Sequence, residues 1–117
     1  MSLDLSLKIY MPERIALDKK VYRVVLPYDK GKTITIGKGR APSLITLDIG
    51  EIKILDERDE VVQEFYFASG VADVKNDECI ILTESVFDKK DLSKEKVEEM
   101  YKDFPNPFYK WLVEKYK

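Results

Sequence analysis

Histidine is absent from all 117 residues of the chain, and its absence removes most of the usual catalytic chemistry. Without histidine there is no Ser-His-Asp triad, no Cys-His pair and no imidazole ligand for a metal ion. Any catalysis would have to rest on carboxylates, lysine or tyrosine. No pair of acids lies in a pattern that predicts an apolar pocket, so an enzyme is the least favoured class.

One short segment, Gly31, Lys32 and Thr33, has the residue types that end a phosphate-binding loop. The full pattern needs a glycine five residues before Gly31, and that position holds Leu26. A phosphate loop also leads into the N-terminus of a helix, whereas this segment lies between two predicted strands. The sequence therefore predicts a solvated turn rather than a nucleotide site.

Two other groups of reactive side chains are better explained by structure than by chemistry. Asp56, Glu57, Asp59 and Glu60 lack the glycine and the final glutamate of a calcium-binding loop, so a solvated turn is expected. Cys79 is the only cysteine and lies in an apolar stretch, which predicts a buried thiol. We expect no metal site and no cofactor.

Lys30, Lys32, Lys38 and Arg40 form a local basic cluster with no acidic residue inside it. The cluster could contact an anionic or polar surface of a partner, or it could be a solvated loop. No aromatic residues are interleaved with these cations, so stacking on nucleic-acid bases is not expected. The residues themselves leave the first two readings open.

Composition favours one compact domain with a small appendage. Hydrophobic residues make up 44% and charged residues 36%, which suits a globular protein with a well-solvated surface. The net charge of −2 is not that of a dedicated nucleic-acid binder. No apolar run approaches the ~18 residues of a membrane span, and the first four residues do not predict a secretory signal.

Roughly the first 85 residues alternate in a way that predicts short β-strands separated by turns. Leu5, Leu7 and Ile9 alternate with polar neighbours in the first strand, and further strands are predicted at 21–26, 33–36, 51–54, 61–68, 71–74 and 79–82. Short strands with frequent turns favour a β-sandwich of about 8–10 strands. The apolar triplet at 80–82 predicts a strand covered on both faces, by a second sheet or by a partner.

After about residue 88 the spacing changes to that of two short amphipathic helices. Their apolar stripes are Val97, Met100, Tyr101 and Phe104 in the first helix, and Phe108, Trp111, Leu112 and Tyr116 in the second. Ser93 and Asn106 are the predicted N-caps, and Pro107 takes the first position of the second helix. Such short helices need packing partners, so the tail aromatics should pack on the sandwich or on another protein. The predicted division is a β-sandwich domain at 1–88 and a helical hairpin at 89–117.

Several segments follow one another in the order seen in a known family. Residues 9–14 are similar to its opening strand and Pro-Glu-Arg turn, 26–27 to the end of its next strand, 39–42 to its Gly-His-Ala-Pro, 50–54 to its Gly-Glu-Leu-Arg-Ile strand, 65–70 to its Phe-Val-Ser-Gly-Gly element, and 74–83 to its closing hairpin. Together they resemble the epsilon subunit of F-type ATP synthase, called delta in mitochondria. Each motif is weak alone, and their common order makes the resemblance specific.

The resemblance implies a mainly β fold with a helical tail, in a non-catalytic rotor subunit of the central stalk. It implies two partners, the gamma subunit and the membrane ring of c subunits, with one sheet face docked on gamma. By position, the ring-facing loop corresponds to Thr33, Gly39, Arg40, Ala41, Pro42 and Ser43. The subunit would be peripheral on the cytoplasmic face of a bacterial inner membrane, or on the matrix or stroma face in an organelle.

The chain departs from the family pattern in this loop and in the tail. Arg40 replaces the family's histidine and adds a permanent charge. Gly37 and Lys38 replace a Leu-Pro pair, which predicts a more flexible and more basic loop. The ATP-sensing motif of some bacterial members, Ile/Leu-Asp-x-x-Arg-Ala, has no match in the tail. ATP binding by the tail is therefore not expected.

Two functions of different classes remain. In the first, the chain couples rotation of the c-ring to gamma and to the catalytic head of a proton-translocating ATP synthase. In the alternative, it is a stand-alone β-sandwich module that binds an anionic ligand or a protein partner through the cations at 30–40. The first needs protein partners, whereas the second predicts binding of phosphate compounds or polyanions without them.

Overall fold

A computed structural model describes residues 5–117, which form ten β-strands and two α-helices. The strands are β1 (Leu5–Met11), β2 (Arg14–Val21), β3 (Arg23–Tyr28), β4 (Lys32–Ile36), β5 (Ser43–Leu47), β6 (Gly50–Leu55), β7 (Val61–Phe67), β8 (Gly70–Lys75), β9 (Glu78–Thr83) and β10 (Val86–Asp88). A short 3-10 turn, Lys89–Asp91, leads to α1 (Lys94–Asp103) and α2 (Pro107–Lys115). The predicted fold class is confirmed. The first four residues, on which the expectation about a secretory signal falls, lie outside the described part.

The strands form two five-stranded sheets that pack face to face. Sheet 1 has the order β2-β1-β9-β8-β5, and sheet 2 has the order β10-β7-β6-β3-β4. Strands β1 and β9 run parallel, and the other neighbouring pairs run antiparallel. Alternate side chains fill the space between the sheets, because successive residues of a strand point to opposite faces. This core contains Leu5, Leu7, Ile9, Val24, Leu26, Ile36, Ile52, Phe67, Ala72 and Ile81, each 0% exposed.

Local sequence chemistry explains several of the turns. Asn76 and Asp77 both adopt positive φ, of 52° and 58°, in the two-residue turn between β8 and β9. Asparagine and aspartate tolerate this left-handed backbone better than most residues, so the predicted turn at this position is confirmed. Gly70 begins β8 where a Cβ atom would lie 2.1 Å from the carbonyl oxygen of Leu82, and only glycine fits there.

Four details of the strand prediction were wrong. Strand β5, an edge strand, was not among the predicted strands. Strand β2 was missed because it is an edge strand whose side chains are mostly exposed, so it lacks a buried alternation. Strand β10 was missed because it has only 3 residues. Pro27 was expected to end its strand, yet β3 continues to Tyr28. Pro27 has no backbone N–H to donate, and its carbonyl oxygen accepts from the N–H of Asp48, which lies outside the strands. The missing N–H therefore removes no hydrogen bond between strands on that side.

Both predicted helix caps are confirmed. Ser93 Oγ accepts from the N–H of Lys96 over 3.2 Å, and Asn106 Oδ1 accepts from the N–H of Tyr109 over 2.9 Å. Each bond satisfies a backbone donor that the first helical turn leaves free. Phe104 was expected in the apolar stripe of α1, but its side chain is 71% exposed and does not join the core beneath the hairpin. Phe104 is the C-cap of α1, so the expected helix end at Phe104-Pro105 is confirmed. Within residues 5–117, no helix is both long and apolar enough to cross a membrane.

Candidate partner-binding surfaces

The loop between β4 and β5, residues 37–42, is fixed to the rest of the sandwich at two points. Gly39 adopts a positive φ of 82°, which glycine reaches without strain, and its N–H donates to Asp77 Oδ1 over 2.8 Å. This bond connects the loop to the turn between β8 and β9. Arg40 Nη1 donates to the carbonyl oxygen of Thr35 over 3.4 Å, so the arginine side chain folds back along β4.

The six residues that the resemblance assigns to the ring-facing loop are spread over one loop and two edge strands and are not gathered at one loop tip. Gly39, Arg40, Ala41 and Pro42 are exposed in the loop, and Ser43 begins β5. Thr33 is exposed on β4, where it pairs with Pro27. It lies near the start of β4, which is the end farther from the loop at 37–42. A five-residue strand spans ~15 Å. Strand β4 is an edge strand of sheet 2 and β5 is an edge strand of sheet 1, and the loop at 37–42 connects them.

The basic cluster of the sequence is divided in the structure. Lys30 and Lys32 lie at the turn between β3 and β4, and Lys32 Nζ forms an ion pair of 2.8 Å with Asp29. Arg40 lies beyond the other end of β4 and bonds to the backbone. The positive charges therefore do not converge on one pocket, as tight capture of a small anion would require.

A second surface is the outer face of sheet 1, where apolar side chains form a row across four strands. Ile15, Tyr10, Leu82 and Val71 are successive cross-strand neighbours in the registers of β2, β1, β9 and β8. Ile15 is 59% exposed and Leu82 is 53% exposed. A cavity of about 380 Å³ lies beside Tyr10, Leu82 and Pro12. A continuous apolar row of this kind is typical of a protein-binding surface.

The apolar triplet at 80–82 pointed to this face from the sequence. Ile81 is buried between the sheets, whereas Leu82 faces outward and is not covered by the described chain. The triplet was expected to be covered by a second sheet or by a partner, and the second sheet covers only its inner side. The sequence did not indicate that Ile15 belongs to this face, because strand β2 was not predicted.

The outer face of sheet 2 is covered by the helical hairpin through a second apolar core. Tyr66 on β7 lies edge-on to Trp111, with ring centroids 5.6 Å apart, and to Tyr116, 6.1 Å apart. Phe87 on β10 stacks on Phe108 with centroids 6.1 Å apart. Leu112 and Val97 are 0% exposed. The prediction that the tail aromatics pack on the sandwich or on a partner is confirmed, with the sandwich as the surface they cover.

An ion pair at the end of α2 adds to this contact. Lys115 Nζ lies 2.8 Å from Glu51 on β6, and Lys115 also lies over the ring of Trp111, 5.2 Å from its centroid. Burial alone would raise the pKa of Glu51, but the hydrogen bond and the charge of Lys115 outweigh it and hold the pKa below its ordinary value. Burial also raises the pKa of the Tyr66 phenol. These shifts follow from docking of the hairpin and do not indicate an acid–base pair.

The remaining reactive side chains have structural roles. Asp56 Oδ1 accepts from the N–H groups of Arg58 and Glu60, over 2.9 and 3.0 Å, and so closes the turn between β6 and β7. Asp59 pairs with Arg23 over 2.9 Å. Cys79 is 0% exposed, and burial raises the pKa of its thiol to about 12. The predictions of a turn at 56–60 and of a buried thiol are both confirmed.

Comparison with known proteins identifies the family of this sandwich. A family model described as the ATP synthase delta/epsilon chain β-sandwich domain matches residues 4–89. The match covers well over half of the 117 residues and includes every strand from Leu5 to Asp88. The chain belongs to the ATP synthase delta/epsilon chain family. The resemblance found in the sequence motifs is thereby confirmed.

Individual members of the delta/epsilon family agree with this assignment. The chain is 33% identical over 101 residues to the ATP synthase epsilon chain of Pelagibacter ubique, covering 86% of this chain and 75% of the relative. It is 34% identical over 80 residues to the chloroplastic epsilon chain of Guillardia theta, covering 68% of this chain and 59% of the relative.

Two solved structures share the fold of this delta/epsilon family member. One is a chain of the Euglena gracilis mitochondrial ATP synthase, with a TM-score of 0.70 at 14% identity, covering 97% of this chain and 75% of that chain. The other belongs to the central stalk and c-ring of the Tetrahymena thermophila mitochondrial ATP synthase, with a TM-score of 0.62 at 19% identity, covering 89% and 77%. Both alignments extend beyond the sandwich into the helical tail.

Proposed function

We propose that this chain is a non-catalytic central-stalk subunit of an F-type ATP synthase, which couples rotation of the c-ring to the gamma subunit and the catalytic head. The observation that carries the proposal is the family match over residues 4–89. Relatives named ATP synthase epsilon chain support it. So does the likeness in fold to a chain from the central stalk and c-ring of another ATP synthase.

The interior of the sandwich supports a mechanical rather than a catalytic role. Thr83 is the one polar residue buried within residues 5–117, and its hydroxyl donates to the carbonyl oxygen of Ser69 over 2.6 Å. The buried thiol of Cys79 stays protonated at neutral pH, because its pKa is raised to about 12. A dry, close-packed interior transmits force because it resists deformation. Such an interior suits a rotor part.

The outer face of sheet 1 is the surface proposed to dock on gamma. The hairpin already covers the outer face of sheet 2, so sheet 1 offers the free sheet face. The row formed by Ile15, Tyr10, Leu82 and Val71 supplies apolar area that a partner would remove from water. The helical hairpin and this row lie on opposite sheets, so both can be occupied together.

The edge formed by β4, the loop at 37–42 and β5 is proposed to face the c-ring. Its residues are Thr33, Gly39, Arg40, Ala41, Pro42 and Ser43. Arg40 brings a permanent positive charge to this edge, where the family pattern has histidine. The assembled complex would hold the subunit at the membrane, on the cytoplasmic face in a bacterium or on the matrix or stroma face in an organelle. The coupled ion is proposed to be the proton.

We also propose that residues 1–88 and 89–117 are the sandwich and tail units of this subunit. The shared core between Tyr66, Phe108 and Leu112 supports a tail that stays docked in the isolated chain. Without the ATP-sensing motif, the tail is not expected to bind ATP. The alternative, a free-standing module for anions, has less support because Lys32 pairs with Asp29 and lies far from Arg40 along the edge.

Binding to purified gamma tests the docking face. Leu82→Glu should weaken gamma binding by at least about tenfold, because it places a charge in the middle of an apolar interface. Val62→Glu is the matched control, since Val62 is 58% exposed on sheet 2. Failure of the well-folded wild-type chain to bind gamma would count against the function itself. Equal binding by both variants would reject only the choice of face.

The ring-facing edge needs an assay with the membrane sector. Arg40→Glu should reduce ATP-driven proton pumping in vesicles that contain the reconstituted complex, because it reverses the charge at the proposed ring contact. Gamma binding should be unchanged in this variant, which separates loss of ring contact from misfolding. Unchanged pumping would contradict the assignment of this edge.

A further inference from the structure

A third surface lies on the helical hairpin, where a groove of about 520 Å³ is lined by residues of both tail helices. Its apolar part consists of Met100, Phe104 and Tyr109. Met100 and Tyr109 also pack against the apolar core between the hairpin and Tyr66, so the groove adjoins that core on the side of Phe104. Neither the row on sheet 1 nor the edge at β4 and β5 contributes a lining residue.

Phe104 is presented to solvent on a fixed backbone. Its side chain is 71% exposed. Its N–H donates to the carbonyl oxygen of Met100 over 2.9 Å, and its own carbonyl accepts from Asn106 Nδ2 over 2.9 Å. A backbone that is already fixed loses little entropy on binding, and aromatic residues often carry much of the energy of an interface.

The rim of the groove carries an excess of negative charge. Glu95, Glu99 and Asp103 follow one another at intervals of four residues, so they lie on one face of α1. None of the three forms an ion pair with another residue in the range 5–117. Lys96 is the single cation of the lining. A nucleotide or other polyanion would be repelled here, and a cationic partner would be attracted.

We propose that this groove binds a cationic amphipathic helix of a partner protein. Lysine or arginine side chains of that helix would lie against Glu95, Glu99 and Asp103, and its apolar side chains would pack beside Phe104 and Met100. The four-residue interval of the acids matches the interval at which side chains recur on one face of the incoming helix. This contact is additional to the proposed gamma and c-ring contacts, and it needs neither of them.

The test uses the full chain labelled with ¹⁵N and a synthetic probe. The probe is a 16-residue helical peptide with lysines at four-residue intervals on one face and leucines on the other. Its control peptide has glutamate in place of every lysine. The lysine peptide should shift amide signals of residues 93–109, and its affinity should fall as salt is raised. Equal binding of the control peptide, or shifts confined to the outer face of sheet 1, would overturn the proposal.

Variants of exposed residues locate the contact without disturbing the core. Glu99→Lys should weaken binding of the lysine peptide by about fivefold to tenfold, because one attraction becomes a repulsion. Glu13→Lys makes the same charge change in the turn between β1 and β2 and should bind like the wild type. Phe104→Ser should also weaken binding, and Leu44→Ser, at a 76% exposed position, should not. Affinities that do not differ within each pair would contradict the assigned groove.

Discussion

Truncation of Leu112 tests whether the hairpin and the sandwich form one cooperative unit. Leu112 is 0% exposed and lies in the apolar core between α2 and sheet 2. Leu112→Ala removes buried methyl groups and leaves a cavity, a change that costs about 2–5 kcal/mol in well-packed cores. A value of about 3 kcal/mol is expected here, because Leu112 is fully buried in a core that it shares with Tyr66 and Phe108.

The expected change in melting temperature follows from the size of the chain. Unfolding of 117 residues carries an entropy of about 0.25 kcal/mol per kelvin near the midpoint. A loss of about 3 kcal/mol therefore lowers Tm by about 12 °C. Differential scanning calorimetry should show one transition, shifted as a whole. Urea unfolding followed by far-UV circular dichroism should give a similar loss of free energy.

Phe104→Ala is the matched control, since Phe104 is in the same tail but 71% exposed. Its free energy of unfolding should change by less than about 0.5 kcal/mol. A Leu112→Ala variant that keeps the main transition in place and only adds an early one would contradict a single cooperative unit. That result would mean that the hairpin undocks independently of the sandwich.

Three other perturbations address single sites. Gly70→Ala should lower the free energy of unfolding in urea by about 2–4 kcal/mol, because the new Cβ would lie 2.1 Å from a carbonyl oxygen of β9; Ser69→Ala is the control and should stay within about 0.5 kcal/mol. Cys79 should react with an aromatic disulfide reagent only when the chain unfolds, since a pKa of about 12 leaves roughly 10⁻⁴ of the thiol ionised at pH 8; fast labelling of the folded chain would contradict its burial. Lys115→Met should lower the free energy of unfolding by about 0.5–1 kcal/mol at pH 7, because it removes the ion pair with Glu51. A carboxyl whose pKa is lowered on folding stabilises the fold only while it is ionised, so the difference from the wild type should shrink as the pH falls through the pKa of Glu51. A difference that does not depend on pH would reject the ion pair as its cause.

Features that rest on local chemistry could be predicted from the sequence. Ser93 and Asn106 cap their helices because a side-chain oxygen beside the first turn bonds to a free backbone N–H. Asn76 and Asp77 form a turn because their side chains tolerate positive φ. The buried alternation of β1 is equally local. In each case the cause lies within a few residues of the effect.

Features that depend on distant neighbours could not be predicted in this way. Strand β2 pairs along one side only and most of its side chains face solvent, so its sequence shows no regular alternation of apolar and polar residues. The separation of Lys32 from Arg40 depends on the extension of β4 between them. The apolar row through Ile15 and Leu82 exists only because β2 and β9 both flank β1. The position of Phe104 outside the apolar stripe depends on where α1 ends and how Asn106 holds the turn.

Site-specific photo-crosslinking in the assembled complex shows whether the outer face of sheet 1 docks on the gamma subunit. A benzophenone amino acid would replace Leu82, at the middle of the row on sheet 1, in the ATP synthase that contains this chain. A covalent adduct with the gamma subunit is expected at position 82, and no such adduct is expected when the same group replaces Val62 on sheet 2. An assembled complex in which position 82 yields no gamma adduct, or in which only position 62 does, would contradict this docking.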